Sequence, residues 1–596
     1  MSIIASISRG HNSSTTLMVD GEIIFYLEEE RITRRKYDGS PFMGLLKVFD
    51  YVDHIDHLVI CHTHRQGPET DWTGEDAYVG FVRKIARQSF KFETHFIDEI
   101  HHQMHATCAF MNSGFQSAAI LVADGAGSFL KSDLTKSENI FEFESIFTGS
   151  YEYPPMGLKL KSVYKHLGTA YPIGIRKMQT YDEVNTDEET EIVLTEYPGI
   201  TKCYESATRY CGFDTIEAGK TMGLSPYGKP NKDLPPFFKD GWANRDVFVP
   251  DYPNGSVMNF YRYDIFREDQ KHWEATGQVD KETGVFNGKD YTQIQKDVAY
   301  QIQKESEDEM IKLIRKALND TGETNLCISG GYGLNCVANY QYWKEFPNIN
   351  IYCEPISHDG GTSIGGALHV LNKLKELKSD KVTERKSIYY GPQYDPQTYT
   401  QYFEEDFLEV TDTSYDDIAK LIRSGEIVTI FQGRSEGGPR ALGNRSILFD
   451  PTIKDGKDIV NGVKRREFFR PFACSMKKEK VHEWFDLKGR EGSPHMMYAV
   501  ECLPGVEEKI PSVIHVDGTC RIQTLTEEDN IHYYNLIDAF EKLSGVPILF
   551  NTSFNLGGDP LVETIEDAIN TLSYSEIEYM YLPELQKLVK VPNDAK

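Results

Sequence analysis

Three times in this 596-residue chain a short apolar run ends in a turn of small or polar residues, and no other feature restricts the fold as much. Ser2–Ser8 opens into Arg9-Gly10-His11-Asn12, Ala118–Ala123 into Asp124-Gly125-Ala126-Gly127, and Asn325–Ser329 into Gly330-Gly331-Tyr332-Gly333. Runs of this length suit buried strands, and glycine at a strand end lets backbone amides approach a phosphate. The pattern predicts an α/β fold whose strand ends line a nucleotide cleft, with Gly125, Gly127, Gly330, Gly331 and Asn335 at the cofactor. After the first run, Thr15–Val19 and Glu22–Leu27 read as strands joined by a tight Asp20-Gly21 hairpin.

The chain is too long for one ordinary core. Gly361–Lys378 reads as a helix, with Ile364, Leu368, Leu371 and Leu374 at helical spacing; a composition shift and the Gly391-Pro392 turn then place the main boundary between Leu377 and Asp395. Beyond it, Asp416–Arg423 reads as a helix and Ile427–Phe431 as a buried strand. Residues 230–290, rich in Pro, Gly, Asn and aromatics without periodicity, read as an irregular insertion.

Charge is distributed unevenly. The chain carries a net charge of -27, yet Arg434–Arg470 holds nine Lys and Arg against five acids, a local +4. Arg434, Arg440 and Arg445 lie among Gly and Pro, and Lys464-Arg465-Arg466-Glu467-Phe468-Phe469-Arg470 follows. Irregular turns that bring forked guanidinium donors and amides together suit a phosphate or acyl phosphate. The acidic balance disfavours non-specific nucleic-acid binding by the whole surface. Ten scattered Cys without a Cys-x-x-Cys pair, and a start without a basic region and apolar run, predict reduced thiols and a cytoplasmic protein; no segment approaches a membrane span.

His101 and His105 stand four residues apart, so on a helix both imidazoles share one face and can ligate a divalent metal. With 17 His in the chain such a pair also arises by chance; Asp124 and Asp359 are the acids that would complete a site, and the ligand types alone do not choose among iron, manganese and zinc. His11, in a turn between strands, reads equally as a general base or a polar loop residue. Lys220, in Gly219-Lys220-Thr221, resembles a phosphate-binding lysine turn without P-loop spacing. Arg521 lies on an alternating strand, and Asn551-Thr552-Ser553 follows an apolar one; these neutral donors and acceptors suit a cap, or a planar amide held beside the cations.

Taken in order, Gly10–Ser14, Glu28–Arg34, the His101/His105 pair, Gly219–Gly228, Ser329–Asn339, Asp359–Gly366, Gly433–Ser446, Lys464–Phe472 and Asn551–Asn555 resemble the ATP-dependent O-carbamoyltransferases associated with nodulation factors, cephamycin and tobramycin. The resemblance implies an actin-like ATPase-fold (ASKHA) domain over residues 1–385 and a YrdC-like α/β domain over 386–596. It implies that carbamoyl phosphate and ATP form carbamoyl-adenylate in the second domain. The first would hold that adenylate on a metal, expected to be Fe(II), and pass the carbamoyl group to an acceptor hydroxyl.

By the same resemblance Arg434, Arg440, Arg445, Lys464, Arg470 and Arg521 hold anionic oxygens, with Arg440 and Lys464 catalytic, and Asn551 and Ser553 orient the carbamoyl group. His101, His105, Asp359 and Asp124 bind metal, and His11 accepts the acceptor's proton; Asn12 stands where the family often has an acid. The acceptor is a sugar-type small molecule or the hydroxymethyl group of a modified pyrimidine, as nucleotide or in DNA. Trp242, Tyr252, Phe260, Tyr261, Tyr263 and Trp273 are placed to stack on either, or to form a local core. A homodimer and no membrane partner complete the expectations. An actin-like ATPase or sugar kinase is the rival reading, and it leaves the C-terminal 200 residues without a task.

Overall fold

A computed structural model describes residues 2–63, 75–97, 99–131, 139–153, 156–168, 190–195, 199–238, 291–377, 385, 387–405 and 407–593. The fold is α/β throughout these residues, as the strand and turn pattern predicts. The chain divides into two compact units, Met1–Ser8 with His54–Glu384, and Arg9–Asp53 with Arg385–Lys596. A linear cut at 385 therefore differs from the grouping of the chain in one segment, Arg9–Asp53. The Tyr26 amide donates to the Tyr390 carbonyl, and the Arg34 guanidinium donates to the carbonyls of Pro560 and Leu561; such long-range bonds leave no mark in local sequence.

In the first unit the strands Ile3–Ser8, His57–Cys61 and Glu93–Ile97 run parallel. A second parallel trio, Ser117–Ala123, Asn325–Ser329 and Asn350–Cys353, repeats the arrangement, and the antiparallel strands Asn139–Glu152 and Gly157–Gly168 extend it on the other side. Strands buried on both faces read as continuous apolar runs, which is why the sequence exposes them so plainly. Between the trios lie two helices, His101–Ser113 and Gly361–Lys373. A Cβ on Gly365 would sit 2.1 Å from the Met104 carbonyl oxygen, so only glycine permits this crossing. Ala106, Ala109 and Phe110 of the first helix close the core against Ile120, Val122 and Cys327.

Gly361–Lys373 is shorter than the expected helix to Lys378. Leu374 caps it and Lys375 turns left-handed at φ 58°, which sends the chain back over its last turn. The 29-residue helix Gln293–Thr321 starts at a Thr292/Gln295 capping box and stops at Gly322, φ 70°. No helix among the described residues is long and apolar enough to cross a membrane. The expected insertion lies outside the described residues from position 239 to 290, with all six of its named aromatics.

The second unit is built on a ten-stranded mixed sheet. Its middle runs Val428–Phe431, Arg445–Phe449, Ile548–Ser553, Ala473–Lys477 and Thr519–Leu525. The expected Asp20-Gly21 hairpin is present between Ser14–Val19 and Glu22–Glu28, both turn residues taking positive φ (54° and 84°). Phe431, Ile447, Val562, Ile569, Leu572 and Met580 form the core on one face.

Candidate metal centre and anion site

The helix His101–Ser113 starts at His101, so His101 and His105 are stacked one turn apart and both are buried. Asp124 follows the strand Ser117–Ala123, a flanking strand of the second trio, and Asp359 precedes the helix Gly361–Lys373. These four residues bring one ligating atom each within 4.8 Å of the others. The two Nε2 atoms are 3.1 Å apart, His101 Nε2 is 3.5 Å from Asp124 Oδ2 and 3.5 Å from Asp359 Oδ1, and His105 Nε2 is 3.7 Å from Asp359 Oδ1. Two nitrogens bonded to one ion at about 2.1 Å lie about 3.0–3.4 Å apart, so the spacing fits a divalent metal.

The electrostatics agree with that fit. Burial alone would lower the pKa of His101, but hydrogen bonds to Asp124 and Asp359 outweigh it and push the imidazole up to about 10. Asp124 is held well below the usual carboxylate range, since the pull of His101 and His105 exceeds the effects of burial and of Asp359. Two nitrogens and two carboxylates form a mixed donor set compatible with iron, manganese or zinc.

A buried frame supports the cluster. The His101 amide donates to Ser128 Oγ, and the Ser128 amide to Glu142 Oε2, whose other oxygen is ion-paired with Lys165. His102, pushed down to about 4 by burial, is paired through Nδ1 with Ser145 Oγ at 2.7 Å. Neither Glu142 nor His102 stands out in the sequence, because a lone acid within a strand carries no spacing signal.

The glycine turns act through packing. A Cβ on Gly127 would lie 2.5 Å from the His102 ring, one on Gly125 2.5 Å from Glu205 Oε1, and one on Gly330 (φ 87°) 2.3 Å from the Ala123 carbonyl. The Gly331 amide donates to Asp124 Oδ1 at 2.8 Å and so fixes a ligand. Asn335 caps the helix Cys336–Glu345 and pairs with Gln303. Lys220, on the helix Ala218–Leu224, pairs with Glu217 one turn earlier at 2.7 Å.

In the second unit the Arg-rich turn is organised by Glu436, which the sequence did not single out. Its buried Oε1 accepts the amides of Leu442, Asn444 and Arg445. Arg31, itself buried, donates to the carbonyls of Glu436 and Gly438 and pairs with Glu28. Arg445 is fully buried over the Phe431 ring, and its guanidinium donates to the carbonyls of Gln432, Gly433, Asn444 and Glu563. Arg434 donates to the carbonyls of Gly391, Tyr390 and Ile24. Backbone carbonyls thus engage all three guanidinium nitrogens of Arg445 and two of Arg434, which ties both residues into the frame of the turn.

The cations that remain gather elsewhere. Lys464, at the end of the helix Gly456–Val463, is buried; its Nζ donates to the carbonyls of Ser553 and Asn555 and to Asn555 Oδ1, which ties the Ser553–Asn555 turn to the helix. Its pKa is pushed well down, by burial first and then by Arg466 and Arg470. Arg466 is pushed down in turn by burial, Arg470 and Arg521. Repulsion thus links Lys464 to Arg466 and Arg470, and Arg466 to Arg470 and Arg521, and a bound anion would relieve it. Asn551, Ala473 and Arg521 are cross-strand neighbours, so Asn551 and Arg521 face the same side of the sheet, where Asn551 Nδ2 donates to Ser475 Oγ at 2.8 Å. Arg440 is half-buried in its turn, and His11 is exposed in the bend after Ile3–Ser8. Arg466, absent from the expected site residues, lies in the run of cations that pointed to it.

Comparison with known proteins follows this division of the chain. A model of the carbamoyltransferase N-terminus matches residues 62–368, and one of the carbamoyltransferase C-terminus matches residues 419–587. The nodulation protein NolO of Bradyrhizobium diazoefficiens is 30% identical over 80% of this chain and 76% of its own length. The nodulation protein NolNO of Sinorhizobium fredii is 29% identical over 95% of this chain and 77% of its own. The 3'-hydroxymethylcephem-O-carbamoyltransferase of Streptomyces clavuligerus is 31% identical over 43% of this chain and 47% of its own.

Proposed function

The chain belongs to the carbamoyltransferase family, enzymes that transfer carbamoyl groups, and on that premise we propose an ATP-dependent O-carbamoylation in two stages, one for each unit. In the first stage water cleaves carbamoyl phosphate to carbamate and inorganic phosphate, a carbamate oxygen then attacks the α-phosphorus of ATP, and pyrophosphate leaves. Arg440, Arg466, Arg470 and Arg521 hold the anionic oxygens, while Lys464 fixes the Ser553–Asn555 turn so that Asn551 and Ser553 orient the carbamoyl group. The mutual repulsion of Lys464, Arg466, Arg470 and Arg521 is the observation that carries this reading. A YrdC-like fold for this unit accords with its mixed sheet.

In the second stage the acceptor hydroxyl attacks the carbamoyl carbon and AMP leaves. His101, His105, Asp124 and Asp359 would hold a divalent ion, Fe(II) by family resemblance, which supplies Lewis-acid polarisation of the carbamoyl group. The family resemblance gives His11, in the segment grouped with the second unit, the role of base for the hydroxyl proton, since an alcohol is a weak nucleophile until its proton is received. The repeated parallel trio supports an actin-like fold for the first unit. The cephem relative's name describes a hydroxymethyl group, which supports a primary alcohol as acceptor here, either on a sugar-type molecule or on a modified pyrimidine.

The test is to incubate the full chain with carbamoyl phosphate and ATP. AMP and pyrophosphate are expected, with mass spectrometry finding one added carbamoyl unit on a member of a panel of hydroxylated sugars, nucleotides and DNA. Release of ADP alone, with no carbamoylated product, would favour the kinase or ATPase reading instead.

A further inference from the structure

A second pair of imidazoles lies in the first unit, on the strands His57–Cys61 and Glu93–Ile97. His57 opens its strand and His95 lies in the next; in the parallel register His57 is level with Glu93, and Val59 with His95. Side chains alternate along a strand, so His57, Val59 and Cys61 share one face with Glu93 and His95. That face meets the helix Gly361–Lys373: a Cβ on Gly366 would lie 3.2 Å from Val59 and 2.5 Å from the Cys61 sulfur.

The geometry resembles that of the His101 cluster. His57 Nδ1 and His95 Nε2 are 3.1 Å apart, the same separation as the two Nε2 atoms there, and Glu93 Oε2 is 3.8 Å from His57 Nδ1. Ligating atoms of His57, Glu93 and His95 all lie within 4.8 Å. A hydrogen bond between the two rings alone gives Glu93 no part, whereas two nitrogens and a carboxylate oxygen this close together are all within reach of one ion.

We propose that His57 and His95, with Glu93 as an oxygen donor, form a second divalent-metal site of the zinc class, separate from the His101 cluster. Two nitrogens and one carboxylate suit a borderline-soft ion better than calcium or magnesium. The ion would pin the start of the strand His57–Cys61 to its parallel neighbour Glu93–Ile97.

The experiment strips the full chain with a chelator and titrates Zn(II), reading stoichiometry by equilibrium dialysis and stability by melting curve. Two equivalents are expected for the natural sequence, and one each for His105→Ala and His95→Gln. The rise in melting temperature caused by zinc should persist in His105→Ala and shrink in His95→Gln. A His95→Gln protein that still binds two equivalents, or a His105→Ala protein that binds none, overturns the second site. If His95→Gln already melts lower without metal, Glu93→Gln decides, since Glu93 is exposed and outside the core: zinc affinity should fall about tenfold at the remaining equivalent of the His105→Ala, Glu93→Gln double variant. Unchanged affinity there overturns the proposal.

Discussion

At the His101 cluster, charged side chains from two helix starts and a strand end turn their ligating atoms toward one another. In the Arg-rich turn, Arg434 and Arg445 direct donors into backbone carbonyls. The two regions are similarly conspicuous in sequence. Their difference teaches that residue type announces a charge, whereas the hydrogen-bond partners decide whether that charge is offered to a ligand or absorbed by the fold. Arg445 stabilises a turn rich in glycine by donating to four carbonyls, of which that of Asn444 also accepts the Gln432 amide. Lys464 is intermediate: its ammonium is engaged by the Ser553–Asn555 turn while its charge belongs to the cluster with Arg466 and Arg470.

The largest expected effect tests the first half of this comparison. His105→Ala removes one nitrogen from the four-donor set, so carbamoyl transfer should fall by about 10²- to 10³-fold while pyrophosphate release from carbamoyl phosphate and ATP continues. Comparing the two half-reactions on a metal-analysed preparation checks it; full transfer in a protein shown to be metal-free would break the assignment.

The next pair tests the second half. Arg470→Ala should lower pyrophosphate release about 10²-fold with stability changed by less than about 1 kcal/mol, because its side chain is partly exposed and its ion pair with Glu467 is long, at 3.5 Å. Arg445→Met should instead cost about 3 to 5 kcal/mol of stability, read from urea unfolding. If both variants lose activity and stability in the same proportion, the distinction between presented and framing cations fails.

A smaller effect concerns the frame of the metal cluster. Burial would raise the pKa of Glu142, but Lys165 outweighs it and holds the carboxyl down at about 2. A depressed folded pKa contributes stability that is fully present above the unfolded value near 4.5 and lost as pH falls toward 2. The natural protein should therefore lose on the order of 2 kcal/mol across that window, and Glu142→Gln should flatten this part of the curve. Equal slopes for the two proteins between pH 5 and about pH 2 would show that the pair contributes nothing to the frame.

Much of the fold was legible because strands buried on both faces need unbroken apolar runs. Ile3–Ser8, Ser117–Ala123 and Asn325–Ser329 lie where those runs lie, and the Asp20-Gly21 hairpin has the positive φ values that its residues favour. The His101/His105 spacing was legible for the same kind of reason, since helical periodicity fixes which residues share a face. Glu436, Arg31 and Glu142 were not legible: each acts on partners reached only by folding, and Arg31 lies 405 residues from the carbonyl of Glu436 that it holds.

The sequence by itself determined the α/β class, the strand ends at which functional groups collect, the i,i+4 histidines and the basic island, because each follows from local periodicity or from composition over a short window. Only the tertiary structure decided that Asp124 and Asp359, 235 positions apart, reach the same two imidazoles. It alone decided which arginines keep donors for a ligand. Both outcomes depend on distances of a few ångströms between segments remote in the chain, and hydrogen bonding and ion pairing fall off too steeply with distance for any local pattern to encode them.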